Sequence, residues 1–119
     1  MRFVSVAPAR GDEDGYELVY DDGKPDVAGG VTHITAYLDV ADRFLDSWHD
    51  VREIVAARRG YLGTRLYRDA LGYVAIARWS SPLMVARTAQ QPEYRRAVAA
   101  LGARARSALY TVVVPSAAA

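Results

Sequence analysis

Between Val31 and Val40 the chain alternates, so that Val31, His33, Thr35 and Tyr37 share one side of an extended strand and Thr32, Ile34, Ala36 and Leu38 the other. The period then changes. Phe44, Trp48, Val51 and Val55 recur at helical spacing and form one amphipathic stripe, with Asp42 placed to cap its start and Gly60 to end it. Two more strand-like runs, 61–68 and 73–80, flank Asp69-Ala70-Leu71-Gly72, a connection of hairpin length. Ser80-Ser81-Pro82 reads as a helix cap followed by proline at the first helical position, and Gln91-Pro92-Glu93 repeats that logic. A helix over 82–103 with a break before Pro92 is therefore predicted, and Leu109–Val114 supplies a last strand.

The resulting order, β-α-β-β-α-β, is that of a ferredoxin-like α+β unit, an antiparallel sheet with two helices on one face. Both sides of 31–40 and of 73–80 carry apolar groups, Ile34, Leu38, Val74 and Ile76 among them, so neither sheet face reads as built for water. Back-to-back packing of two copies, a homodimer closing a dimeric α/β barrel, satisfies that pattern. Residues 1–30 read as an N-terminal β-hairpin extension: a short run at Phe3–Val6, the turn-rich Gly11–Gly15, a second run at Tyr16–Tyr20 and a loop rich in Asp and Gly. The domain proper spans 31–114 and 115–119 is a small-residue tail.

A chain of 119 residues is one domain's worth, which excludes a multidomain enzyme. Its 15 basic and 14 acidic residues leave +1, giving no general pull toward nucleic acid or a membrane surface. The balance is uneven, with 3 basic and 7 acidic residues in 1–30 and 12 and 7 in 31–119. All the basic residues except Lys24 are arginine, a bias that GC-rich coding produces as readily as selection. With no Cys there is no disulfide, thiol nucleophile or thiolate metal site. The acidic residues near the N-terminus lack the alternating spacing and distal Glu of a calcium loop. No secretory h-region and no apolar run of about 20 residues is present, which leads to the expectation of a cytoplasmic protein without membrane contact.

Several segments together resemble the antibiotic biosynthesis monooxygenases, small dimeric proteins of aromatic polyketide metabolism. They are Val31-Thr32-His33-Ile34-Thr35, Phe44-x-x-x-Trp48 leading to Arg59-Gly60-Tyr61-Leu62, Ala77-Arg78-Trp79-Ser80, Pro92-Glu93-Tyr94-Arg95, and Leu109-Tyr110. The resemblance runs from about Val31 to Val114. It implies an oxygenase that oxidises a polycyclic phenol or hydroquinone with dioxygen as co-substrate, by quinone formation or by oxidative carbon–carbon cleavage as in the angucycline ring-opening branch. No tightly bound metal, haem or flavin is expected. Need for a diffusible reduced flavin, supplied by a flavin reductase as partner, is left open. Relatives that convert anthrones carry a tryptophan that Trp79 matches, an Asn where this chain has Ala75, and another where it has Thr35. Haem-degrading relatives use a His in the second helical region, and 82–103 contains none.

His33 and His49 are the chain's two imidazoles and the candidate bases for deprotonating a phenol or activated ring carbon near neutral pH. Arg95 matches a family arginine that faces developing negative charge, and it completes the catalytic candidates. If Trp79 faces a pocket, the period of two sends Ala77, Ala75 and Tyr73 the same way, the alanines leaving room for a flat ligand. Thr35 and Tyr37, in phase with His33, join Trp48, Tyr73 and Trp79 as substrate-binding candidates, although Trp48 in mid-stripe also fits a core role. A polyketide cyclase or isomerase, needing a base but no oxygen, and a non-catalytic binding module are the alternatives on the same fold.

Overall fold

The structure, a computed structural model, describes residues 15–22 and 30–111. In chain order the elements are β1 (Glu17–Asp21), β2 (Val31–Leu38), α1 (Phe44–Ala56), β3 (Tyr61–Arg68), β4 (Gly72–Trp79), α2 (Pro82–Ala89), α3 (Pro92–Ala99) and β5 (Arg104–Thr111). The five strands form one antiparallel sheet in the order β1-β3-β4-β2-β5, so β4 is central, between β3 and β2. This is the ferredoxin-like α+β arrangement that the element order predicts. The strand from the N-terminal segment joins the main sheet beside β3, and its expected hairpin partner at Phe3–Val6 lies outside the described residues. No helix among the described residues is long and apolar enough to cross a membrane.

The sheet's helix side is set by the alternation in β2 and β4. Across that pair His33 faces Ala77, Thr35 faces Ala75 and Tyr37 faces Tyr73. On α1 the predicted stripe is the buried face: Phe44, Trp48 and Val51 pack with Tyr37, Leu66, Ala75 and Leu101 in one core. Burying several such side chains contributes about 1.5–3 kcal/mol each. Both boundary signals assigned to α1 are displaced. Arg43 rather than Asp42 holds the cap position and makes no side-chain cap bond, and the helix closes at Ala57, with Gly60 lying beyond in the turn before β3. A Cβ at Gly60 would come within 2.6 Å of Met84 Cγ, and its φ of +92° also favours glycine.

The proline signals in the second helical region act as expected. Ser81 accepts a bond from the Met84 N–H at 3.4 Å with Pro82 following it, and Pro92 restarts the chain as a separate helix. α3 ends at Ala99, short of 103, and β5 begins at Arg104, five residues ahead of the predicted Leu109; residues 112–114 are not described. In the β3–β4 hairpin, Asp69 Oδ1 accepts the N–H groups of Leu71 and Gly72, both at 2.9 Å. A Cβ at Gly72 would sit 2.0 Å from the Tyr37 carbonyl oxygen, so β2 and β4 approach there only because that residue is glycine.

Candidate functional site

A half-open cleft of about 130 Å³ lies between the sheet and all three helices. Its floor is the bare methyls of Ala75 and Ala77 on β4, flanked by His33 and Thr35 of β2 on one side and by Thr64 of β3 on the other. Trp48, Val51 and Val55 of α1 roof it, and Val85 and Thr88 of α2 and Tyr94 of α3 close the remaining flank. Two alanines in phase with a tryptophan make the slot possible, because any larger side chain at 75 or 77 would occupy the space above the sheet. A cavity of about 150 Å³ lined by apolar groups takes up benzene. A fused ring system therefore fits with one ring in the slot and the rest toward its open side.

Five of the eight residues singled out from the sequence line this cleft: His33, Thr35, Tyr37, Trp48 and Trp79. Tyr73 shares the helix-side face, but its ring stacks on Phe44, with centroids 4.6 Å apart and planes at 20°, which commits it to the core instead. His49 is exposed on the outer side of α1, edge-on to Tyr20 and Trp48, with centroids 5.5 and 5.4 Å away. Arg95, on the exposed side of α3, is not among the lining residues. Trp48 is both core and wall, being 3% exposed, so the two roles weighed for it coexist.

Within the cleft the titratable groups divide cleanly. Burial holds the His33 imidazole below its usual pKa, so it is neutral at pH 7 and able to accept a proton. Burial raises the Tyr37 and Tyr94 phenols, which therefore stay protonated. Tyr37 is further engaged with Trp48 and Thr35, and the Thr35 and Ser107 hydroxyls are 3.0 Å apart. Thr88, 3% exposed, donates to the Met84 carbonyl at 2.9 Å and accepts from Arg58 Nε at 3.3 Å. Trp79, 2% exposed and edge-on to Tyr61, leaves its buried Nε1 without a hydrogen-bond partner. A buried donor without an acceptor is costly, and a ligand or ordered water at this place would satisfy it.

Arg52 and Thr64, which line one flank of the cleft, are held from behind by a network that was not visible in the sequence. Asp22, just after β1, accepts the Thr64 N–H at 2.7 Å and the Tyr61 hydroxyl at 2.5 Å, and Arg52 Nη1 lies 3.4 Å from the same carboxylate. Tyr61 also reaches Thr64 Oγ1 at 2.7 Å. Tyr61 and Thr64 are three apart, and regular alternation would send them to opposite faces. The register of β3 against β4 shifts between Tyr61 and Gly63, which brings both to the helix side. Burial, followed by the Asp22 contact, raises the Tyr61 phenol and keeps it a donor.

α2 and α3 present no imidazole to the cleft, so no His ligand for haem iron comes from that side. Among the described residues no three of His, Cys, Asp and Glu gather as a metal site.

Comparison with solved structures places the architecture. The chain is similar to SnoaB, a cofactor-independent oxygenase from Streptomyces nogalater, with TM-score 0.66 and 22% identity over 75% of this chain and 100% of that one. It is also similar to LmHde, a heme-degrading enzyme from Listeria monocytogenes, with TM-score 0.63 and 14% identity over 87% of this chain and 74% of that one. A ferredoxin-fold protein from Listeria monocytogenes related to antibiotic biosynthesis monooxygenases gives TM-score 0.63 and 13% identity, over 89% of this chain and 69% of that one. At these identities the likeness is one of fold. No family model matches the sequence, and no curated protein does.

Proposed function

We propose that the protein is an oxygenase of the antibiotic biosynthesis monooxygenase type that oxidises a polycyclic phenol or hydroquinone of aromatic polyketide origin, without a resident metal, haem or flavin. The observation that carries this reading is the placement of the His33 imidazole beside an alanine-floored, tryptophan-walled slot. The fold it shares with a cofactor-independent oxygenase supports it.

In the proposed reaction the slot strips water from the ring system, and His33 takes a proton from a ring hydroxyl or an activated ring CH₂. The resulting electron-rich anion transfers one electron to dioxygen. Substrate radical and superoxide combine, and the peroxide formed at a CH₂ carbon loses water to leave a carbonyl. One oxygen atom of O₂ ends in the product and the other in water, and the four electrons that reduce O₂ come from the two C–H bonds lost at that carbon. Tyr37 and Tyr94, held protonated, donate toward the developing oxyanion. Neither Asn of the anthrone-oxidising pattern is present, and hydroxyl groups stand at that flank instead. A polyketide cyclase or isomerase would use the same base and slot but no oxygen.

The working unit in this proposal is a homodimer. Ile34, Leu38, Val74 and Ile76 lie half-buried on the sheet face away from the helices, and β5 is exposed along its whole length. Light scattering should give twice the 13.0 kDa chain mass, and a monodisperse monomer would remove this part of the proposal. The enzymatic part is tested by incubating the protein with an anthrone under ¹⁸O₂ and following oxygen uptake. Incorporation of one labelled atom, lost in His33→Gln, is expected. Ring closure or isomerisation without oxygen uptake would move the assignment to a cyclase.

A further inference from the structure

Of the side chains lining the cleft, Arg52 alone carries a formal charge at neutral pH. It stands on α1 one turn beyond Trp48, with its guanidinium 5.1 Å from the centre of the Tyr20 ring. Its hold on Asp22 is a single 3.4 Å contact from Nη1, whereas the same carboxylate receives the Thr64 N–H and the Tyr61 hydroxyl at 2.7 and 2.5 Å. Asp22 is thus well supplied with donors without Arg52. A guanidinium offers five N–H donors in a planar fork, and among the described residues Asp22 is the acceptor it meets. Most of the fork is left for something else.

The position is specific. Across the sheet the order is His33, Ala77, Thr64 and then Asp22, so Arg52, which contacts Asp22, and the imidazole stand at opposite flanks of the alanine floor. Neutral donors and aromatic faces at the rest of the cleft are enough to hold a neutral ring system. A cation kept at its edge, loosely paired and only partly exposed, is suited to an anionic oxygen.

We propose that Arg52 recognises a carboxylate carried by the planar aromatic ligand, at the β3 flank of the slot opposite His33. The proposal rests on the reading of the cleft as an aromatic-ligand slot, but not on the oxygen chemistry assigned to it.

The test uses 2-naphthoate and its neutral counterpart 2-naphthamide, titrated into the protein at pH 8 and followed by the fluorescence of Trp48 and Trp79. His33 is neutral at that pH and cannot supply the charge. Wild type should bind naphthoate about tenfold or more tightly than naphthamide, the scale of one hydrogen bond to a charged group. Arg52→Met should erase that preference while leaving the naphthamide Kd unchanged. Should this variant lose its circular dichroism signal, Arg52→Lys decides: a point charge in place of the fork weakens naphthoate severalfold and leaves naphthamide unmoved. Equal binding of both probes by wild type, no binding of either, a preference that survives in Arg52→Met, or an unaltered Arg52→Lys would overturn the proposal. Neither probe is an oxidisable phenol. A naphthoate preference without oxygen uptake on anthrones would therefore leave this inference standing and remove the oxygenase.

Discussion

The hydroxyls of Thr35 and Ser107 meet 3.0 Å apart, joining a buried residue of the cleft to the strand beyond it. Thr35 is 8% exposed whereas Ser107, like all of β5, is exposed. The bond therefore couples the outer strand to the ligand slot. Ser107→Ala should cost about 1 kcal/mol in denaturant unfolding, and the amide protons of β5 should exchange faster. An unchanged β5 exchange rate would mean that the ladder alone holds the strand.

His33 gives a stability signature as well as a kinetic one. Its folded pKa is lowered by burial, so the folded state favours the neutral ring. That contribution is fully present above the unfolded pKa of about 6.5 and is lost as pH falls through the lowered folded value. Wild type should lose stability from about pH 6.5 downward, beyond the common acid effect, and His33→Gln should lack that component. Turnover should decline over the same acidic range, with a plateau from neutral to alkaline pH.

Trp79 is both wall and core, which refines the expectation that separates the two. Trp79→Ala should lose about 3–5 kcal/mol, because a nearly fully buried indole is removed. Trp79→Phe is the informative variant, since it deletes the unpartnered Nε1 donor but keeps most of the ring. Its stability should stay near wild type while ligand affinity falls. Full affinity in Trp79→Phe would show that the N–H is not offered to the ligand.

Filling the slot tests its existence without touching a polar group. Ala77→Leu places three extra carbons above the floor of a cleft of about 130 Å³, so the fold should survive with a melting temperature close to wild type. Naphthamide binding should be lost. Retained binding would place the ligand elsewhere.

The parts of the site that a single period can describe were legible in the sequence. The alternation of β2 placed His33, Thr35 and Tyr37 together, the phase of β4 placed Ala75, Ala77 and Trp79 opposite them, and the α1 stripe supplied Trp48. What periodicity does not carry is which neighbour a side chain chooses. Tyr73 has the right phase and is taken by Phe44, while Arg95 lies on a helix whose buried side is filled by residues such as Tyr94 and Val98. Arg52 falls beside the predicted stripe, next to Val51, and nothing in its spacing separates it from the other α1 charges. Asp22 sits in a stretch whose Asp and Gly content reads as loop, although the strand before it is bound into the sheet.

The register shifts in β1 and β3 have a consequence for how this site can change over time. In β1 the shift between Leu18 and Tyr20 turns Tyr20 toward the helices and leaves Leu18 opposite Tyr67; in β3 the shift between Tyr61 and Gly63 does the same for Tyr61. The charged flank of the cleft is thus set by what each residue pairs with and not by its count along the strand. Deleting Leu62 would restore even alternation with Tyr61 still opposite Trp79 and Thr64 still opposite Ala77, so both would keep the helix side. One lost codon at this place would thereby shorten β3 without dismantling the polar flank, a tolerance that a strand of regular alternation lacks, because there any single deletion turns half of the strand over.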